Sequence, residues 1–380
     1  MFVFRMRAPL LISLFIFVLF SQGLSARGRV FKQILCPAEI NIDKELHVKP
    51  LYRQDTLKLL VVGDLMLHYP QIIRAKKDDG SFDFSNYFKL VHHYFDEADL
   101  TIGNFESTVC GAPYSGYPKF SAPEDFVIQL LDDGFDILLW ANNHVLDYGS
   151  KGASFELNLF NQLKSKYDFS YTGLVEKSQE SHLTLFVVRK GIRIAIVNFT
   201  YPTNEKPDAA YPKVNLLYDI DSLKRALSIS QVADLVIAMP HWGDEYELVH
   251  NAAQRKMAEF MIKNGADVII GTHPHVVQDR ELINEKPVYY SIGNFVSNMS
   301  AKNTQLGLMI SLCIIREHNG EIKICEPDLI WTWCSKPGGY CDDYAVIPIE
   351  RYRGKESEWK GRWDYNKMIT TYHSIVNSYH

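Results

Sequence analysis

Several imidazoles, carboxylates and amides stand directly behind apolar runs in this chain, and residues of those types hold divalent metal ions. The sharpest cluster is His273-Pro274-His275, which ends the run DVIIGTHPH. In an extended x-Pro-x segment the side chains at i and i+2 share one side. Both rings can therefore approach one ion or two. His241 ends DLVIAMPH, Asp64 ends LKLLVVGD, and Asn104 and Glu106 end DLTIGNFE. Asn143 and His144 end FDILLWANNH, and PVYYSIGN ends at Ser291 and Asn294. Taken singly, each has a plainer reading: Gly-Asp and Asn-Asn-His are common turns, and an isolated histidine is usually structural. Taken together, suitable types at five strand ends form a borderline-to-hard donor set suited to zinc, manganese or iron.

Strands must bring these positions together. In an open α/β sheet the strand C-termini share one edge, and ligands bind in the crevice there. A βα rhythm begins at Leu57. Continuous apolar runs predict strands at Leu59–Gly63, Ala98–Gly103, Asp136–Ala141, Asp234–Met239 and Val268–Ile270. Helical spacing predicts Tyr87–Glu97, Glu124–Asp133, Gly152–Lys166, Asp221–Gln231 and Ala252–Asn264, the last closed by Gly265. Residues 183–199 read as a hairpin about Lys190-Gly191. Leu306–Arg316 and Glu321–Trp333 read as antiparallel strands, and the last thirty residues show weak patterning. Between Cys110 and Ala122 a loop rich in Gly, Pro, Tyr and Ser places aromatics and Lys119 where they either face a substrate or pack as surface. His68, four residues past Asp64, joins the site if the chain turns helical there. Asp244, Glu245 and Glu247 read as solvated acids, although Glu245 stands close enough to His241 to support it from behind.

The chain has 380 residues, room for one large domain or two smaller ones, with a globular composition of 47% hydrophobic and 22% charged residues. A net charge of -5 argues against a nucleic-acid partner or an anionic membrane surface. Residues 1–26 read as a secretory signal peptide. Arg5 and Arg7 precede an apolar stretch from Leu10 to Phe20, and Leu24-Ser25-Ala26 offers a cleavage site. An uncleaved tether is the alternative, although the apolar stretch falls short of the roughly 20 residues that span a bilayer. The expected locale is the periplasm or cell envelope. Residues 27–56 read as a lead-in segment. Export permits disulfides. Of six cysteines, Cys36, Cys110, Cys313, Cys325, Cys334 and Cys341, the last four crowd together. Cys334–Cys341 is the first pair to test, against the alternative of free thiols.

The order GDLM, NFE, ANNHVLDYG, PHWGDEY, GTHPHVVQ and YSIGNF resembles the CapA family of poly-γ-glutamate capsule synthesis proteins, over about residues 57–299. That family is related to the calcineurin-like metallophosphatases. The resemblance implies a four-layer α/β/β/α sandwich with two central mixed sheets, and a site for two divalent metal ions at the loops after the strands. Beyond the stretch that carries the resemblance, residues 300–380 read as a β-rich extension with cysteines, packed on the core. The resemblance also implies roles. Asp64 matches the first metal aspartate, and Glu106 stands where the phosphatases bridge two metals with an aspartate. Asn143 matches the metal-binding asparagine, and His144 the catalytic histidine that meets the phosphoryl group. His241, His273 and His275 match metal-binding histidines, with His68 and Asn104 as auxiliary candidates. Two departures stand out: Met66 replaces the histidine of the phosphatase Asp-x-His, and Asn104-x-Glu106 replaces Gly-Asp-x-x-Asp.

The expectation is an exported, metal-dependent hydrolase of phosphoester bonds in capsule or exopolymer assembly. Its partners would be an envelope polymer, a phosphorylated or γ-glutamyl substrate, and capsule-synthesis membrane proteins. The alternative is a non-catalytic envelope factor that binds or exports an anionic polymer. The chain has no Walker-type phosphate loop, so an ATP-driven ligase step would come from a partner.

Overall fold

The structure, a computed structural model, describes residues 55–380 except 177–182, 209–210, 378 and 380. The expected signal peptide, nearly all of the lead-in segment and Cys36 lie outside the described residues. The chain enters on strand β1 (Asp55–Leu65), followed by helices α1 (Tyr69–Ala75) and α2 (His92–Glu97) and strand β2 (Leu100–Asn104). Helix α3 (Glu124–Asp133) leads to β3 (Ile137–Leu139), and α4 (Gly149–Leu163) leads to β4 (Ser170–Thr172). A two-residue β5 (Leu174–Val175) precedes the hairpin of β6 (Leu185–Arg189) and β7 (Ile192–Thr200). Lys190 and Gly191 both take positive φ there, 45° and 73°, the twist that a two-residue hairpin favours.

Strand β8 (Lys213–Val214), α5 (Ile220–Ile229), β9 (Leu235–His241), α6 (Ala252–Lys263) and β10 (Val268–Ile270) restore the alternation. Short strands β11 (Arg280–Ile283), β12 (Lys286–Tyr289) and β13 (Asn294–Val296) follow. The chain ends with β14 (Leu306–Arg316), β15 (Ile322–Ile324), β16 (Asp328–Ser335), β17 (Ala345–Pro348), α7 (Ile349–Tyr352) and α8 (Arg362–Val376).

Two mixed sheets result. One runs β17-β16-β14-β1-β2-β3-β4, with β13 also on β1 and β15 also on β14; the other runs β11-β12-β10-β9-β7-β6. β1 to β4 are parallel, and so are β7, β9, β10 and β12, so their C-termini lie at common edges. The sheet of β1 continues past residue 299, because β14 pairs antiparallel with β1 along seven registered positions, from Asp55↔Arg316 to Val61↔Ile310.

Side-chain alternation along the strands builds three apolar layers. Leu57, Leu59 and Val61 of β1 meet Ile194, Ile196, Ile237 and Met239 of the other sheet in the inter-sheet core. Leu60 and Val62 face outward onto a helix layer containing Phe95, Phe126, Leu130 and Phe160. Ala195, Val197 and Phe199 face the opposite helix layer with Leu223, Leu227, Met261 and Ile262. Three cores separate four layers, so the fold is the expected α/β/β/α sandwich. Leu59 has no exposed surface, and truncating it to Ala would cost about 2–5 kcal/mol.

Some expectations change. Only His92–Glu97 of the Tyr87–Glu97 helix forms. Phe84, Tyr87, Phe88 and Val91 are all buried, so tertiary packing rather than helical propensity shapes the chain before it. Glu321–Trp333 divides into β15 and β16 at Pro327, which has no N–H for a ladder. The Cys334–Cys341 pair does not form: both are free thiols. Cys334 is buried with its Sγ on the Ser297 carbonyl, and Cys341 Sγ meets the Asp343 carbonyl, each at 3.3 Å.

Candidate metal centre

Asp64, Asn104 and Asn294 are brought side by side by strand register: Asp64 pairs with Asn104 on β2 and with Asn294 on β13. The preceding Gly63 is required there, because a Cβ on it would lie 1.8 Å from the Gly293 carbonyl oxygen. Two backbones can pass this closely only where side chains are missing. Asn104 Nδ2 donates to Asp64 Oδ1 at 2.7 Å, and it lies 3.4 Å from Glu106 Oε2. Asp64, Asn104 and Glu106 have no exposed surface.

The other sheet supplies the imidazoles. His241 closes β9, with Nε2 at 2.9 Å from Asn143 Oδ1 and 3.6 Å from Glu106 Oε1. Its Nδ1 lies 2.9 Å from Thr272 Oγ1. His275 Nδ1 faces two acceptors, Asp64 Oδ2 at 3.2 Å and Asn294 Oδ1 at 3.1 Å. That nitrogen must therefore carry the proton, which leaves the Nε2 lone pair toward Glu106 Oε1, 3.8 Å away. The His273 ring sits 4.8 Å from His241 and 5.8 Å from His275. Both residues of the His-Pro-His turn hold left-handed backbone, with φ of 101° at His273 and 59° at His275. Such strain persists only where the surroundings enforce it, and it concentrates at functional sites.

These groups form two overlapping triads, Asp64–Glu106–His241 and Glu106–His273–His275, each with one ligand atom per residue within 4.8 Å of the others. Glu106 belongs to both. Glu106 Oε1, Asn104 Oδ1 and His273 Nδ1 are buried without a hydrogen-bond partner among the described residues. Burial, then the charge of Asp64, pushes the Glu106 carboxyl well above its usual range. Burial, then neighbouring imidazoles, pushes His241 and His273 well below theirs. Stranded lone pairs, a carboxylate crowded by a carboxylate, and imidazoles that refuse protons are what a divalent cation relieves. The donor set fits the implied metal.

His144 stands beside this cluster rather than in it. Asn142 builds the turn, accepting from the His144 N–H at 3.0 Å and donating to the Phe105 carbonyl at 2.9 Å, while Asn143 turns to His241. The turn role and the ligand role read for Asn-Asn-His thus fall on neighbouring residues. His144 Nδ1 meets Asp147 Oδ2 at 2.9 Å, and the same oxygen accepts the Phe120 N–H at 2.8 Å. The Phe120 ring packs edge-on against both His144 and His68, at 4.6 and 5.3 Å. The 110–122 loop therefore reaches the site through Phe120, while Lys119 pairs with Glu205. His68 lies outside the two triads. Its Nδ1 accepts the Asn298 N–H at 3.3 Å, and burial lowers its pKa to about 4. Met66 is buried, and its carbonyl accepts from Gln71. Glu245 is exposed.

Four supporting residues escape the strand-end reading. Asp147 orients His144, and Thr272 orients His241. The Tyr201 ring packs against His273 at 4.5 Å, tilted by 46°. Asn198, on β7, accepts from the N–H groups of Trp140 and Ala141 and donates to the Met239 carbonyl, joining β3's exit to β9. Asp147 had one available signal, its i+3 spacing from His144.

Residues 58–299 match the family described as Bacterial capsule synthesis protein PGA_cap. This chain belongs to that family. A relative named "Capsule biosynthesis protein CapA", from Bacillus anthracis, is 30% identical over 267 residues, covering 66% of this chain and 62% of the relative. The match thus spans less than two thirds of that relative's length. A "PGA biosynthesis protein CapA" from Bacillus subtilis (strain 168) is 29% identical over 286 residues, covering 73% of each. Among solved structures, a hypothetical protein from Thermus thermophilus superposes with a TM-score of 0.44 at 15% identity, covering 72% of this chain and 99% of that one. The Haemophilus influenzae NAD nucleotidase (NadN) gives 0.43 at 12% identity, covering 86% and 68%. The capsule synthesis match encloses every member of both triads and also His144 and Asp147.

Proposed function

We propose that this capsule synthesis family member is an exported, metal-dependent hydrolase of phosphoester bonds in capsule or exopolymer assembly. The observation that carries the reading is Glu106, a buried carboxylate shared by two ligand triads. Asp64, Glu106, Asn143, His241, His273 and His275 would hold the ions, zinc, manganese or iron. Bound there, divalent ions supply Lewis-acid charge stabilisation at the reacting phosphoryl oxygens.

The chain's own residues do the rest. Asp64 and Asn294 fix the tautomer of His275. Asp147 holds His144 by Nδ1, so Nε2 is the nitrogen left to give a proton to the leaving oxygen. Phe120 packs edge-on against the rings of His144 and His68 and takes up space that water would otherwise fill beside them. The substrate is a phosphorylated or γ-glutamyl component of an envelope polymer, delivered with capsule-synthesis membrane proteins in the periplasm or envelope.

Met66, buried where a phosphatase has a ligand, favours a second reading: a non-catalytic factor that binds or exports an anionic polymer. One assay series separates the two. The protein, loaded with zinc, manganese or iron, is tested on phosphomonoesters, phosphodiesters and γ-glutamyl peptides. Turnover that His144→Ala lowers about 10²–10⁴-fold supports the hydrolase. No turnover with any metal supports the binding factor. Unchanged metal content in a His273→Ala, His275→Ala double variant refutes the ligand assignment under either reading.

A further inference from the structure

Strand β15 lies against β14 in the register Arg316↔Ile322, Ile315↔Lys323 and Ile314↔Ile324. The next facing residues are Cys313 and Cys325, and the Cys325 N–H donates to the Cys313 carbonyl at 2.9 Å. Side chains alternate along a strand. Both thiols therefore leave the sheet on the face shared with Ile315 and Lys323, where they contact each other. Facing residues of an antiparallel pair stand about 4.5–5.5 Å apart at Cα, inside the span of a disulfide. Both thiols are free and partly exposed.

The other described cysteines are engaged elsewhere. Cys334 and Cys341 are held by the Ser297 and Asp343 carbonyls. Cys110 lies against Gly152, where an added Cβ would come within 3.0 Å of its sulfur. Nothing about the metal centre depends on Cys313 or Cys325.

We propose that Cys313 and Cys325 form a cross-strand disulfide, stapling β15 to β14, when the protein meets a disulfide-bearing oxidant. Closure joins the two sulfurs and releases their two protons. The two electrons pass to the oxidant's disulfide, which leaves as two thiols. Burial and the facing thiol hold Cys313 above the ordinary thiol range, so closure is slow without such an exchange partner. The staple fixes a three-residue strand that walls a groove of about 680 Å³, lined in part by Leu282, Tyr289, Leu312, Ile322 and Ile324.

The test uses the full chain, reduced and then exposed to oxidised glutathione, with thiol titration under denaturing conditions and peptide mapping. The expected result is the loss of two thiols per chain and a peptide joined through Cys313 and Cys325, reversed by dithiothreitol. Neither C313S nor C325S yields that joined peptide. Retention of every thiol overturns the proposal. So do glutathione adducts on Cys313 or Cys325 without closure, or a bridge between Cys334 and Cys341 in their place.

Discussion

Asp99, Asp136, Asp234 and Asp267 stand at the N-terminal ends of β2, β3, β9 and β10; Asp64, Asn104, Glu106 and the histidines follow the C-terminal ends of parallel strands. At the first edge each aspartate accepts a backbone N–H near the start of the neighbouring strand, from Lys58, Thr101, Arg193 and Val236, at 2.7–2.9 Å. Each also faces a cation: Lys190, Arg189, Arg193 with Arg316, and Lys286. Burial alone would raise the Asp234 carboxyl, but the hydrogen bonds and charges of Arg193, with Arg316, hold it below its ordinary value. At the other edge no lysine or arginine among the described residues pairs with Asp64 or Glu106. Their companions are imidazoles and amides, and Glu106 is pushed up instead of down. One edge is electrostatically complete within the protein. The other is complete only with an added cation.

The largest effect should come from the incomplete edge. Glu106→Gln removes the shared ligand and should lower both metal content and hydrolysis, the latter about 10³-fold, the several kcal/mol that bound metal supplies. Full metal content in that variant would break the contrast. Asp234→Ala tests the complete edge: it removes the half-buried carboxylate that faces Arg193 and Arg316 and should cost about 3 kcal/mol in denaturant unfolding with metal content unchanged. Metal loss there would show that the two edges are not separate. Asp147→Asn keeps the His144 contact but not its charge. It should lower turnover about 10–100-fold at full metal content; unaltered turnover removes His144 from the chemistry.

The most gradual effect, spread over more than two pH units, concerns His68 in metal-free protein. It titrates at the ordinary 6.5 when unfolded and at about 4 when folded. Between those values the unfolded state binds more protons. The His68 contribution to stability should therefore be level above pH 6.5 and fall as pH drops toward 4, with a slope of at most about 1.4 kcal/mol per pH unit. His68→Gln should flatten that slope in urea titrations at successive pH values.

The centre was legible because strand ends announce themselves: an apolar run stops and a donor-type side chain follows. Asp64, Glu106, Asn143, His241, His273 and His275 all carry that signature, and the structure gathers them. Asp147 and Asn198 do not. Asp147 lies inside a turn, and Asn198 sits within a buried strand, where an amide in an apolar run looks like an interruption. Helix α8 was hidden for a related reason. Its buried face is Asp364, Met368, Thr371, Tyr372 and Ile375, a helical period spelled partly in polar letters. Asp364 is tolerable there because Ser335, Trp333 and Gln305 hydrogen-bond to it, partners more than twenty residues distant that no local window contains.

Asn198 has a mechanical meaning. The ligand set is drawn from two sheets, with Asp64, Glu106 and Asn143 on one and His241, His273 and His275 on the other. Any slip of one sheet across the other is a positional error in the centre. Apolar side chains between the sheets resist separation but have no direction to resist sliding. Asn198 reaches from β7 to the exit of β3 and grips β9 with its other end. It acts as a dowel beside the metal centre, helping the ion pairs of the opposite edge set the alignment tolerance of the two halves.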